Sequence, residues 1–208
     1  MIRVIIADDH TLFREGLCAL IKSVDDITIV GEASDGKEAI ALIEEHTPDI
    51  AILDFSMPEY DGIEVFHHVH QQQLPTKVML LTVNNDPILA TQALKMGICG
   101  YVLKGNAFDD LRYAIKTVNQ GGKFMTPSLT GEIFSAHAGD SSKAKLSKRE
   151  AEVLKLIGQG YSNQQIADKL AISIKTVETY NTRIMIKLGL DSKDRLLKYA
   201  IIQAKESK

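Results

Sequence analysis

The chain has 208 residues, 45% hydrophobic and 25% charged, an ordinary globular composition that excludes a disordered tail or a fibrous protein and allows one or two domains. Its net charge of −3 conceals an asymmetry: residues 1–140 carry 10 Lys+Arg against 20 Asp+Glu, net −10, and residues 141–208 carry 14 against 7, net +7. No run approaches the roughly 18 apolar residues of a membrane span, the start MIRVIIADD meets acids rather than a small-residue cleavage site, and Cys18 and Cys99 have no metal-type spacing. The expectation is a cytoplasmic, soluble protein with reduced thiols and no membrane partner, in which an acidic module precedes one suited to a polyanion.

Over the first 120 residues, predicted strands at Arg3–Ala7, Ile27–Ala33, Ile50–Asp54, Lys77–Thr82 and Gly100–Lys104 alternate with amphipathic helical patterns. Phe13, Leu17, Leu20, Ile21 and Val24 share one such face; Phe108, Leu111, Ile115 and Val118 share another. Asp35 followed by Glu38 marks a helix start. The strands are too apolar to leave one face wet, so the expected fold of residues 1–121 is a five-stranded parallel (βα)5 sheet, flavodoxin-like, with helices on both faces. Gly121, Gly122, Pro127, Gly131 and Gly139 then interrupt the rhythm, and 122–145 is expected to be a linker. From Leu146 the pattern is all-α: Ser147 with Glu150, and Ser162 with Gln165, match the capping box. Helices are expected near 148–158, 163–170, 174–188 and 193–203, in a domain spanning 146–208.

In an open parallel sheet, ligands bind beyond the carboxyl ends of the strands where the strand order reverses. With order 2-1-3-4-5, Asp8 and Asp9, Asp54, Thr82 and Lys104 converge there. Carboxylates this close repel unless a cation joins them, and an all-oxygen cluster suits Mg2+. A carboxylate beside a metal ion, a hydroxyl and an ammonium can accept a phosphoryl group as an acyl phosphate. Asp54 is central and is the expected acceptor, with Asp9 a direct ligand, Asp8 assisting, and Thr82 and Lys104 meeting the transferred oxygens. His10 is expected at the rim, and His67, His68 and His70 as a solvated helix face without an acidic partner.

The string Asp54-Phe-Ser-Met-Pro-Glu-Tyr-Asp61-Gly62, with Asp8, Asp9, Thr82, Tyr101 and Lys104, resembles the D-x-x-M-P-x-x-D-G signature of receiver domains in two-component response regulators. The resemblance implies phosphorylation of Asp54 by a sensor histidine kinase, with Mg2+ held by Asp8, Asp9, Asp54 and the Ser56 backbone carbonyl, and with Thr82 and Tyr101 moving as a switch. Val83 and Gly105 depart from the commonest receiver pattern, which has a small residue and a proline there. A phosphohydrolase built on an aspartyl phosphate would carry a second carboxylate two residues on; this chain has Ser56, and it reads as a non-enzyme.

In the basic half, a helix at 163–170, a turn at 171–173 and a second helix capped by Ser173 have helix-turn-helix spacing. Val177, Asn181, Ile184 and Leu188 recur at core spacing. That leaves Lys175, Glu178, Thr179, Thr182 and Arg183 toward the major groove, with Lys175, Arg183 and Lys187 able to neutralise phosphates. Leu146-Ser-Lys-Arg-Glu150, Gly160 to Ala167, Ile172 to Thr179 and Lys187-Leu-Gly189 resemble the LuxR-type DNA-binding domain, so the whole chain resembles a NarL/FixJ-type response regulator. The resemblance adds Ser162, Asn163 and Thr176 as DNA-contact candidates and implies a homodimer on paired DNA half-sites, with RNA polymerase among its partners. The other reading is a phosphorylation-independent DNA-binding regulator that uses its first domain to dimerise.

Overall fold

The computed structural model describes residues 1–130, 146–190 and 192–206. The chain divides into two compact units, Met1–Ala136 and His137–Lys208. In the first, strands β1 (Ile2–Ala7), β2 (Ile27–Ala33), β3 (Ile50–Asp54), β4 (Lys77–Thr82), β5 (Gly100–Leu103) and β6 (Phe124–Met125) alternate with helices α1 (Thr11–Lys22), α2 (Gly36–His46), α3 (Gly62–Gln71), α4 (Pro87–Met96) and α5 (Ala107–Asn119). The sheet is wholly parallel, in the order β2-β1-β3-β4-β5-β6.

Successive strand residues point to opposite faces, and here both faces are covered. Val4, Ile6, Ile50, Ile52, Met79, Leu81 and Val102 pack with Leu17 and Ile21 of α1 and Leu111, Ile115 and Val118 of α5. The alternate residues Ile5, Ala51, Leu53 and Leu80 are equally buried, as are Ile43 of α2, Ile63 of α3 and Leu89 of α4. Burying each large aliphatic side chain contributes about 1.5–3 kcal/mol, so the sheet's centre is the rigid frame that carries the strand ends. Register does the rest: Ala7 lies beside Leu53, Asp54 beside Leu81 and Thr82 beside Leu103. Asp8 and Lys104, each one residue past its strand, therefore arrive at the same edge as Asp54 and Thr82.

The sixth strand corrects the five-stranded expectation. It lies at the start of the segment read as linker, and two residues carry no periodicity to read. What creates it is the open edge of β5: Phe124 N–H donates to the Cys99 carbonyl (2.9 Å) and Thr126 N–H to the Tyr101 carbonyl (3.1 Å). Thr126 is fully buried, and its hydroxyl accepts from Leu103 N–H at 3.0 Å. Residues 127–130 are helical; the remaining expected linker, 131–145, falls outside the described residues.

The second unit contains α6 (Lys148–Gly158), α7 (Asn163–Leu170), α8 (Ile174–Leu188) and α9 (Lys193–Glu206). Ser147 and Ser162 each form a full capping box, with Glu150 and Gln165, and Ser173 accepts from Thr176 N–H to cap α8. These caps set the helix starts. Val153, Leu154, Ile157, Ile166, Val177, Ile184, Met185, Leu196 and Ala200 form its core. Among the described residues, no helix is long and apolar enough to cross a membrane.

Candidate functional site

At the carboxyl edge of the sheet, Asp8 is fully buried and Asp54 is 4% exposed. Lys104 opens a short 3-10 turn after β5 and places its ammonium 2.7 Å from Asp8 Oδ2 and 3.0 Å from Asp54 Oδ2. The same Nζ lies 4.9 Å from the centre of the Phe13 ring, so α1 supplies a cation–π floor beneath it. Ser56 N–H points to Asp54 Oδ1 at 3.4 Å. Thr82 is buried, and its hydroxyl accepts from Asn84 N–H at 3.0 Å. Tyr101, fully buried, donates its hydroxyl to the Asn84 carbonyl at 3.3 Å. Thr82 and Tyr101 thus grip the same peptide segment. Asn84 escaped the sequence reading, and Phe13 is legible there only as part of an apolar helix face, because a backbone grip and a ring beneath a cation have no local sequence signal.

The electrostatics are those of a site held short of positive charge. Burial is the main cause that pushes Asp54 from an ordinary 3.8 up to about 6; Lys104 pulls it down and Asp8 adds to the rise. Burial opposes the charge on Lys104, but Asp54 and Asp8 outweigh it and its pKa is raised. One ligand atom each from Asp8, Asp9, His10 and Asp54 lies within 4.8 Å of all the others. His10 Nδ1 is 2.9 Å from Asp9 Oδ1 and 3.3 Å from Asp8 Oδ1, with its ring 66% exposed, a rim position. Three carboxylates and one imidazole in this space can coordinate a divalent cation.

The loop after β3 explains the Asp61-Gly62 pair physically. Asp61 caps α3, accepting from Ile63 and Glu64 N–H, while Glu64 returns the bond to Asp61 N–H. A Cβ at Gly62 would lie 2.5 Å from the Asp54 carbonyl oxygen and 2.8 Å from Leu80 Cδ2. Only glycine allows α3 to start this close to Asp54. Val83 is 80% exposed, and a Cβ at Gly105 would meet open space.

In the helical unit, Ser162, Lys175 and Glu178 are exposed, and Asn163, Thr176, Thr179 and Arg183 are partly exposed. The Thr176 hydroxyl joins the α8 cap through Ser173 at 2.7 Å, and Thr179 bonds back to the Lys175 carbonyl. Lys187 is a correction. Instead of facing a phosphate it forms a buried ion pair with Glu150 at 3.1 Å, both side chains 4% exposed, which ties the end of α8 to the start of α6. Its charge alone suggests a phosphate contact, but the buried acid that captures it lies 37 residues away. Thr182 is also buried, with its hydroxyl on the Glu178 carbonyl, so a direct base contact by Thr182 is not available in this arrangement. His68 corrects the expectation of no acidic partner on α3: its Nε2 lies 2.8 Å from Glu44 of α2.

Residues 4–116 match the family model of the response regulator receiver domain, and residues 144–200 match that of the luxR family of bacterial regulatory proteins. The oxygen regulatory protein NreC of Staphylococcus epidermidis is 38% identical over 210 residues, 96% of each chain. Among solved structures, RcsB from Salmonella enterica serovar Typhimurium, bound to the promoter P1flhDC in the presence of the phosphomimetic BeF3−, is 33% identical. It covers 95% of this chain and 97% of its own, with a TM-score of 0.63. A structure of two RcsB dimers bound to two parallel DNAs is 31% identical over 98% of both chains, with a TM-score of 0.62. An acidic cluster at the carboxyl edge of a six-stranded parallel sheet, a capped helix-turn-helix and these matches over both halves lead to one assignment: the chain belongs to the two-component response regulators, with a receiver domain followed by a LuxR-type DNA-binding domain.

Proposed function

We propose that Asp54 accepts a phosphoryl group from a sensor histidine kinase in a Mg2+-dependent reaction, and that this controls binding of the helical domain, as a homodimer, to paired DNA half-sites. The observation that carries the reading is the shared contact of Lys104 with Asp8 and Asp54, 2.7 and 3.0 Å, at the centre of an otherwise acidic pocket. Asp8, Asp9 and Asp54, with the Ser56 carbonyl, would hold the ion; their hard oxygen donors fit it. Bound there, it supplies positive charge to the phosphoryl oxygens. An Asp54 carboxylate oxygen forms the new bond to phosphorus as the donor's bond to phosphorus breaks and the donor nitrogen takes up a proton. Forming this acyl phosphate removes the carboxylate charge of Asp54, and Lys104 turns from that oxygen to those of the phosphoryl group. The Thr82 hydroxyl, which accepts from Asn84, retains a proton to donate to one of them. Moving Thr82 would disturb the Asn84 segment that Tyr101 also holds, which supports a Thr82–Tyr101 switch.

For DNA, Ser162 and Asn163 at the α7 start and Lys175, Thr176, Glu178, Thr179 and Arg183 on α8 are the proposed contacts, and the RcsB–DNA complexes support this use of the domain. We take residues 1–125 as the receiver, one strand longer than periodicity indicates, and 146–208 as the DNA-binding domain. The test is intact mass after incubation with a small acyl-phosphate donor, with and without Mg2+. One phosphoryl adduct that requires both Mg2+ and Asp54 is expected. An adduct that persists in Asp54→Ala, or none on folded wild type with donor and metal, refutes the assignment.

A further inference from the structure

Asn181 lies on the face of α8 that is turned toward its own domain. It is 6% exposed, and its helical neighbours Val177, Ile184 and Met185 are all in the core. A carboxamide in such a place costs free energy unless it is hydrogen-bonded. Its Nδ2 donates to Asn163 Oδ1 at 3.1 Å, while its own Oδ1 is buried with no partner among the described residues. That arrangement is the cheaper of two. Turning both amides over would leave two buried N–H donors on Asn181 without acceptors, and orphaned donors are rarer in proteins than under-used carbonyl oxygens.

The consequence falls on Asn163, the first residue of α7. The Ser162 hydroxyl caps Gln165 N–H, and the amides of Asn163 and Gln164, at the first two positions of the helix, have no acceptor within it. A helix start of this kind favours an anion. A carboxamide is planar, with its oxygen and nitrogen on opposite sides. Committing Oδ1 to the buried Asn181 therefore turns the Asn163 –NH2 toward the partly exposed side of the residue. Turned the other way, the oxygen would face any phosphate and repel it.

We propose that Asn181 is a positioning residue for DNA: through its bond to Asn163 Oδ1 it holds the Asn163 amide with its donors outward, so that the DNA backbone meets N–H groups at the α7 start. The inference rests on the reading of Asn163 as a backbone contact, and the test separates failure of one from failure of the other. The full chain, treated with acyl-phosphate donor and Mg2+, is titrated onto a mixed-sequence duplex of about 30 bp at about 50 mM salt, where sequence-independent backbone contacts dominate affinity. Wild type, Asn163→Ala, Asn181→Leu and the double variant are compared, with helical content checked for each. Asn163→Ala and Asn181→Leu should each weaken binding by roughly tenfold, the size expected for one hydrogen bond to a charged acceptor. The double variant should be no weaker than Asn163→Ala alone. If Asn181→Leu costs the same factor with or without Asn163, or costs nothing in the wild-type background, Asn181 does not act through Asn163 and the proposal fails. If Asn163→Ala itself leaves affinity unchanged, the backbone-contact reading fails first. Asn181→Met replaces Asn181→Leu if leucine unfolds the domain, and Asn163→Asp, which keeps the acceptor for Asn181 but turns an oxygen outward, should weaken binding more than Asn163→Ala.

Discussion

Replacing Asp54 with asparagine should stabilise the metal-free protein at neutral pH while abolishing phosphoryl acceptance. Asp54 is 4% exposed, and its pKa is pushed from 3.8 to about 6, chiefly by burial. A carboxyl whose folded pKa lies above its unfolded one holds its proton more tightly in the fold. The associated stability is fully present below pH 3.8 and is lost as the pH rises through about 6. Two pKa units correspond to about 3 kcal/mol at pH 7. Asparagine copies the protonated shape without the charge but gives Lys104 one anionic partner fewer, so the net gain should be about 1–3 kcal/mol. The same linkage roughly halves the gain at pH 5, where most of the wild-type carboxyl is already protonated. The assay is urea unfolding of the full chain in chelator, followed by circular dichroism, comparing the receiver's transition midpoint in wild type and Asp54→Asn at pH 7.5 and pH 5. Excess Mg2+ should narrow the gap at pH 7.5, because a cation bound to the carboxylates stabilises the folded wild type. A lower midpoint for Asp54→Asn at pH 7.5, or a gain equal at both pH values, would refute the account of the site as a strained anionic pocket.

Two further substitutions test the frame around the sites. Gly62→Ala forces a Cβ to within 2.5 Å of the Asp54 carbonyl oxygen, so β3 and α3 must separate. A loss of about 1–3 kcal/mol in receiver stability is expected, together with slower adduct formation by intact mass; unchanged values of both would show that the close approach carries no constraint. Lys187→Ala strands Glu150 as a buried charge, and the helical domain should lose about 3–5 kcal/mol in thermal or urea unfolding. The paired variant Lys187→Met with Glu150→Gln should recover most of it, since both charges are then gone and the carboxamide oxygen can still accept from Ser147 N–H. If Lys187→Ala keeps full stability and only lowers DNA affinity, Lys187 is a phosphate contact after all.

Periodicity and chemistry along the chain determined a good deal. Runs such as Ile50–Asp54 are apolar at every position because both faces of a parallel strand are buried, and Ser147, Ser162 and Ser173 cap their helices because a cap bonds within three residues of itself. The edge that gathers Asp8, Asp54, Thr82 and Lys104 was also legible, since strand ends and a strand order are enough to place them side by side.

Tertiary structure alone decided the rest, and the reason is range. β6 exists because β5 left an open edge, which two residues of sequence do not announce. Lys187 looks like any basic helix residue until Glu150 is folded against it, and the direction in which the Asn163 amide faces depends on Asn181, 18 positions away. The pKa of Asp54 likewise depends on how completely the fold removes water from it. Local pattern records what a residue does within a few neighbours. Burial and partners distant in sequence decide what a charge or an amide is worth, because desolvation and directional bonding act only once the chain has closed around them.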